Sequence, residues 1–471
     1  MTHHDVVIAG GGFAGIYAAW RLVRSGASVA LVEAADQLGG NMRSRPWEGY
    51  WLDQGTHVLD LRTALAREFY ADVLGDELVS LDGHRWASTV GEGWSMDIEM
   101  PDFSVDAPSL AETALIELER LHASGTGLAR EPESYERWYR ERYGRTLAEA
   151  ILPMARKLTG GGDPAALSPD AHVALAALSR PKLGTDERMV ALKTADPFWD
   201  ARLGVSLGCA DERFGAAGVD GLIGYPAHGG LGGFCGHATR RLAELGVELA
   251  TGCPIERIEN AGRGPVLVSG ERRWSGGTLF WTLPDFLLAQ LFGVPDRTRE
   301  LSLPVGTCFV AFEVPEESIA GPNYLNDYAA HRLPTRYNRA GVYGRQTRED
   351  GYTVVMAEVP RHPAALRSGF RSEDEAAVWS AMLETGYLRA GTRYRGSTAW
   401  GCPVAFSVPR PGWEAVDGEL RRGLRSRAGR VVGIPPGRRV RDEFMKCFDT
   451  TLQHVLSTDD PHDAELHRRC A

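Results

Sequence analysis

Strand-like stretches at 5–9, apolar from Val6, and at 28–32, apolar from Val29, flank a glycine-rich stretch and a run with helical spacing over 16–24. A buried strand, a turn, an amphipathic helix and a second strand in that order predict a β-α-β unit at the start of the chain. Leu65, Phe69, Tyr70 and Val73 recur at helical spacing and predict a helix within 60–80. From 85 to 106 the pattern shortens into strands and turns around Trp86, Trp94 and Pro101. Residues 108–210 read as mainly helical, over 110–122, 135–154 and 172–178, interrupted by Gly160, Gly161, Gly162 and several prolines. Near 225 a glycine turn leads into a helix over 234–245 and strands at 246–249, 255–258 and 278–282. Runs at 307–314, 341–343 and 352–359 predict a second sheet within 302–400. A helix over 450–456 closes the pattern, and the residues after Ser457 are polar.

The loop between the first strand and helix is Gly10-Gly11-Gly12-Phe13-Ala14-Gly15. Gly10 permits the tight turn, Gly12 lets a pyrophosphate approach the backbone, and Gly15 lets the helix pack closely on the sheet. The helix N-terminus then offers unpaired N–H groups and a partial positive charge to the phosphates. Glu33, followed by Ala34, stands where a carboxylate holds the adenosine ribose hydroxyls. The plain alternative is a glycine turn with no ligand. Strand, helix, strand and acid in register weigh against it.

A second glycine pair follows soon after the acid, in Gly39-Gly40-Asn41-Met42-Arg43-Ser44, and then comes Asp53-Gln54-Gly55-Thr56-His57. FAD is long and extended, so a second backbone approach and a cation near its diphosphate are physically useful. The run resembles the FAD-dependent amine oxidase, protoporphyrinogen oxidase and phytoene desaturase superfamily, and its Gly-Gly-Asn triplet resembles UDP-galactopyranose mutase. That resemblance implies an α/β protein with a discontinuous Rossmann-like FAD-binding domain, a mixed-sheet substrate domain and a helical insertion. It divides the chain into FAD segments at 1–84, 215–290 and 399–457, a mainly helical substrate-side insertion at 85–214, a substrate sheet at 291–398 and a tail at 458–471. The stretch from Tyr143 through Lys157 to Ser168 is similar to the helical insertion of protoporphyrinogen oxidase-like proteins. The resemblance also places the Ile255 backbone against the adenine, Trp400 to Val404 on the strand leading to the last FAD motif, and Gly433 and Arg438 in that motif. Here the chain departs from the usual amine oxidase pattern, because Gly433 is followed by Ile434 and two prolines rather than an acid.

Composition narrows the class. The 471 residues are about threefold longer than one typical domain. A net charge of −10 argues against nucleic acid or an anionic membrane as the main partner. Seven cysteines lie scattered without a C-x-x-C pair or metal-ligand spacing, as expected of reduced core residues and of no bound metal. The first strand begins at residue 5, leaving no room for a leader, and the longest apolar stretch, 279–294, contains Pro284 and Asp285. A cytoplasmic protein without an integral membrane segment is therefore expected; its oligomeric state is not legible.

No Gly-x-Ser-x-Gly elbow, His-Glu-x-x-His helix or Walker loop occurs, so the chemistry is assigned to the flavin. His57 is the first candidate beside it, with a histidine bonded to loop backbone as the competing reading. Arg336 and Arg438 are candidates to clamp an anionic group on a small-molecule substrate, with a hydrated surface arginine as the alternative for Arg336. Amine oxidases commonly carry a flavin-site lysine on the strand that starts here at Thr307, yet no lysine lies between Lys193 and Lys446. Three readings follow: an FAD-dependent oxidoreductase acting on a small polar metabolite, such as one of specialised biosynthesis; a non-redox flavin-dependent sugar mutase; and a flavoprotein fold serving as a binding subunit.

Overall fold

The computed structural model describes residues 3–55, 58–125, 132–207, 209, 221–261, 264–346, 348–367, 369, 372–428, 431–433, 444–445 and 447–449. The β-α-β unit forms as its pattern predicts, with strand His3–Ala9, helix Phe13–Arg24 and strand Val29–Val32. All four residues of Val29–Val32 are buried, as in a strand covered on both faces. Glu248–Ala250, Val29–Val32, His3–Ala9 and Arg272–Trp281 run parallel in that order, and Val431–Gly433 pairs parallel with the end of Arg272–Trp281. Ala9 is level with Val32 and Trp281, Val32 with Ala250, and Trp281 with Gly433. The strands therefore end together. Segments far apart in sequence meet at one carboxyl edge, where open parallel sheets bind ligands. An antiparallel hairpin of Arg257–Ala261 and Gly264–Ser269 flanks the other half of Arg272–Trp281.

The second sheet has the order Gly396–Pro409, Ser302–Pro315, Tyr352–Arg361, Arg336–Arg339, Tyr324–Asp327, Trp86–Thr89 and Ser95–Met96. Cys308, Val310, Phe312, Val355 and Val359 face the helix Ser372–Glu384 and its Val378, Ala381 and Met382. The opposite face, with Phe309, Ala311, Val354 and Met356, meets Tyr50 and Leu52 of a hairpin formed by Ser44–Trp47 and Tyr50–Asp53. Helices Pro108–Ser124 and Tyr135–Leu158 build a separate core that reaches the sheet through Leu303, Val305 and Val408.

The strands and turns expected over 85–106 include Trp86–Thr89 and Ser95–Met96, which join the second sheet. Two expectations need correction. Residues 341–343 are not a strand, since Ala340–Val342 is a 3-10 turn. The boundary between 398 and 399 falls inside Gly396–Pro409, and Trp400 pairs with Phe309 at the edge of the second sheet rather than leading into the first. The expected helix over 450–456 and the tail lie outside the described residues. Among the described residues no helix is long and apolar enough to cross a membrane.

Candidate dinucleotide-binding site

The two glycine turns meet backbone to backbone. Gly39 N–H donates to the Gly11 carbonyl at 2.8 Å, and Gly12 and Gly39 form a parallel bridge. A side chain on Gly40, at φ +54°, would stand 3.2 Å from Gly12 Cα. Gly10 has φ +100° and donates its N–H to the Val32 carbonyl at 2.8 Å, which fixes the turn onto the sheet. A Cβ on Gly15 would sit 1.9 Å from the Gly10 carbonyl oxygen. Gly12 is different in kind. It has φ −70°, which any residue adopts, and a Cβ there would have no neighbour within 4 Å. Packing does not explain its missing side chain. A ligand occupying the open space would.

The Glu33 carboxylate accepts from Gly11 N–H at 2.6 Å and from Ala35 N–H at 2.8 Å. It thus anchors the first turn to the end of the second strand, while Ala34 beside it is exposed. The segment bearing Ile255 runs alongside: Gly252 N–H donates to Ala35 O and Cys253 N–H to Glu33 O. Ile255 itself is half-buried against the sheet core. Ala14 follows Phe13 at the start of the helix, where the Phe13 ring joins Phe69, Tyr17 and Phe444 in an aromatic cluster. Asn41 is exposed. Arg43 donates through Nη2 to the Gln37 carbonyl at 3.1 Å, yet its buried Nε has no partner. A buried guanidinium N–H without an acceptor is costly, and a phosphate oxygen would satisfy it. The open Gly12 face and this orphaned donor are what a cradle for a dinucleotide pyrophosphate requires.

From Arg43 the chain enters the hairpin that ends at Asp53, a residue whose anchoring role the sequence did not reveal. Asp53 is buried and accepts from Ser44 Oγ at 2.5 Å, Leu231 N–H at 3.1 Å and Tyr225 OH at 2.5 Å. Ser44 Oγ in turn accepts from Gly232 N–H at 2.8 Å. The hairpin and the start of helix Gly230–Glu244 are thereby locked together. Gly55, at φ +95°, follows and lines a slot with Trp51, Tyr225, Tyr343, Asn338, Ala340 and Met356. Thr56, His57 and Arg438 lie outside the described residues. Gly433 ends its strand beside Trp281, at the same carboxyl edge as Gly10.

Arg336 is elsewhere, on the second sheet. It shares a face with Asn326, Asn338, Met356 and Glu358, the face turned toward the hairpin. Its side chain is 44% exposed and its Nη1 lies 3.3 Å from Oε2 of Glu358, which is 7% exposed. The guanidinium therefore arrives with its own counter-ion. Among the described residues no group of three or more His, Cys, Asp or Glu side chains could hold a metal ion.

Residues 8–73 match the family model described as an NAD(P)-binding Rossmann-like domain. A 4,4'-diaponeurosporene oxygenase of Staphylococcus aureus (strain USA300) is 33% identical over 101 residues, 21% of this chain. The match spans only 20% of that relative's length. Whole-chain similarity is structural. Reduced UDP-galactopyranose mutase superposes with a TM-score of 0.73 at 16% identity, covering 99% of this chain and 98% of the other. A protein assigned as protoporphyrinogen oxidase from Exiguobacterium sp. 255-15 gives 0.64 at 15% identity, covering 96% and 98%. Putrescine oxidase bound to putrescine gives 0.61 at 17% identity, covering 97% and 100%. The chain is an α/β protein with a Rossmann-like dinucleotide-binding unit, inside a fold it shares end to end with these three structures.

Proposed function

We propose that the protein is an FAD-dependent oxidoreductase that oxidises a small polar metabolite. The observation that carries the reading is the direction in which the cradle opens. Gly12, Gly39, Gly40 and Arg43 form its phosphate end, and the hairpin to Asp53 and Gly55 extends the same edge to the slot beneath the second sheet. This layout suits a long cofactor with its diphosphate at one end and its reactive ring at the other. Glu33 and the backbone near Ile255 would hold the adenosine end. FAD, when bound, supplies an acceptor for a hydride. The protein's own part is to orient the donor carbon and exclude water. Tyr324, Asn326, Arg336 and Asn338 line the sheet face above the slot and give it polar recognition groups. Arg336 would contact an anionic group through the guanidinium atoms that Glu358 leaves unused.

The test is spectroscopic. Purified protein should be yellow or take up FAD on reconstitution, and anaerobic addition of its substrate, found by screening small alcohols, amines and amino acids, should bleach the band. A protein that takes up no FAD would remove the reading. Turnover of a sugar nucleotide only after dithionite reduction, without net electron consumption, would replace it by the mutase reading.

A further inference from the structure

Glu99 lies over the polar face of the second sheet. Its main-chain carbonyl accepts from Asn326 Nδ2 at 3.0 Å and from Tyr328 OH at 2.5 Å, and Asn326 stands directly opposite Arg336 on the neighbouring strand. The backbone just before it is held as well, since Asp97 N–H donates to the Trp86 carbonyl at 2.7 Å and Ile98 is fully buried. The side chain is not tied down. Among the described residues it makes no hydrogen bond or ion pair, and Glu99 is exposed to water. Burial nonetheless acts most strongly on its carboxyl and raises the pKa, Arg336 and then Arg62 lower it, and Asp60 raises it again. A carboxyl open to water that still loses hydration to the protein around it lies in a cleft. Tyr324 has Arg336, Glu358 and Glu99 all within reach, so these charges surround one stretch of the sheet face.

The charges that share this cleft do not balance. Arg62 Nε donates to both oxygens of Asp60, at 2.9 and 2.8 Å, and Arg336 is paired with Glu358. Each guanidinium thus has a carboxylate of its own. Glu99 is left over, and no ion pair joins it to either arginine. A negative charge partly withdrawn from water without a cation beside it is costly, and a cationic ligand would offset that cost. We propose that the Glu99 carboxylate binds a protonated amine of the substrate and so determines specificity for small organic ammonium compounds. The part of the Arg336 guanidinium that Glu358 leaves unused takes an anionic group where the compound carries one. A purely anionic compound would meet repulsion from Glu99 and is discriminated against by charge. The inference rests on the flavin reading above, because that reading makes this face the wall of the substrate cleft.

Butylamine, γ-aminobutyrate and butyrate serve as probes, alike in carbon skeleton and different in charge. Each is titrated calorimetrically into flavin-loaded wild type, Glu99→Gln and Glu92→Gln, and flavin content and Tm are recorded. Both amines should bind wild type more tightly than butyrate does. Glu99→Gln should raise the Kd of both amines about tenfold or more, the loss of one charge-assisted contact, while flavin content and Tm stay at wild-type values because its side chain holds no partner. Glu92→Gln, which removes an exposed carboxylate from the preceding turn, should change neither Kd. Yellow wild type that binds neither amine, or binds butyrate in preference to both, would overturn the assignment and leave the flavin reading intact. Amine Kd values unchanged in yellow, stable Glu99→Gln, or shifted equally by Glu92→Gln, would do the same. A Tm loss in Glu99→Gln would also overturn it, by showing that the carboxylate serves the fold. A wild type that takes up no flavin would remove both readings together.

Discussion

At the scale of single residues, glycines of the same motif carry different duties, and substitution separates them. Gly12→Val should fold normally, because its φ of −70° suits any residue and the added atoms meet open space. It should fail to bind FAD, because those atoms occupy the place of the diphosphate; Tm and flavin content measured together check this. Gly15→Ala should do the reverse. Its Cβ would lie 1.9 Å from a carbonyl oxygen, so helix and turn must separate at a cost of about 3 kcal/mol, read as a lower denaturation midpoint before any cofactor is added. A wild-type midpoint in Gly15→Ala would show that the turn relaxes cheaply. His84 gives a pH signature of its own. Burial pushes its pKa from 6.5 down to about 4, so the folded protein holds it neutral while the unfolded chain protonates it. Between those values the unfolded state binds more protons, and stability falls as pH drops from about 6.5 toward about 4, by roughly 3 kcal/mol in full. Below the lower value both states are protonated and the slope from this group ends. His84→Phe should flatten that part of the Tm profile; an unaltered slope would assign it to other groups.

At the scale of elements, residues 444–445 and 447–449 pack on helix Phe13–Arg24. Phe444 and Phe448 pack edge-on against Tyr17, and Phe448 also meets Phe280. Tyr17 OH and Arg21 Nε both donate to Asp449 Oδ1, at 3.1 and 3.0 Å. The helix so clamped is the one whose N-terminus faces the cradle, and Phe13 at its first turn touches Phe444. Phe444→Ala should therefore cost about 3–5 kcal/mol and weaken flavin retention in parallel. Loss of stability with unaltered flavin affinity would show that the helix end is set by the sheet alone. This element also marks where sequence reading reached its limit. The first β-α-β unit was legible because strand period, glycine spacing and acid all agree within 30 or so residues, a span over which local rules act. Strand character over 85–106 is legible too, but the place of Trp86–Thr89 in the second sheet is not, because its partner Tyr324–Asp327 lies far along the chain. The Asp53 anchor was invisible for a related reason: Ser44, Tyr225 and Leu231 come together only once the hairpin meets a distant helix.

At the scale of the whole molecule, the proposed cofactor edge and the polar sheet face lie on different sheets, so on that reading the reaction would draw on groups from both. Arg336 tests that arrangement, and its pairing with Glu358 makes a single substitution ambiguous. Removing the guanidinium leaves a carboxylate that is 7% exposed without its counter-ion, which lowers stability whatever Arg336 does for substrate. Arg336→Ala should therefore lower Tm, and adding Glu358→Gln should restore most of it, since a neutral amide has no charge to compensate. Catalysis separates the roles. If Arg336 clamps an anionic group, kcat/KM for the substrate that bleaches the flavin stays down about 30-fold or more in the single and the double variant alike, the effect of about 2 kcal/mol or more of lost ion pairing. The flavin spectrum should be the same in both, because neither residue lies at the cofactor cradle. Recovery of kcat/KM together with Tm in the double variant would show that Arg336 serves only to neutralise Glu358.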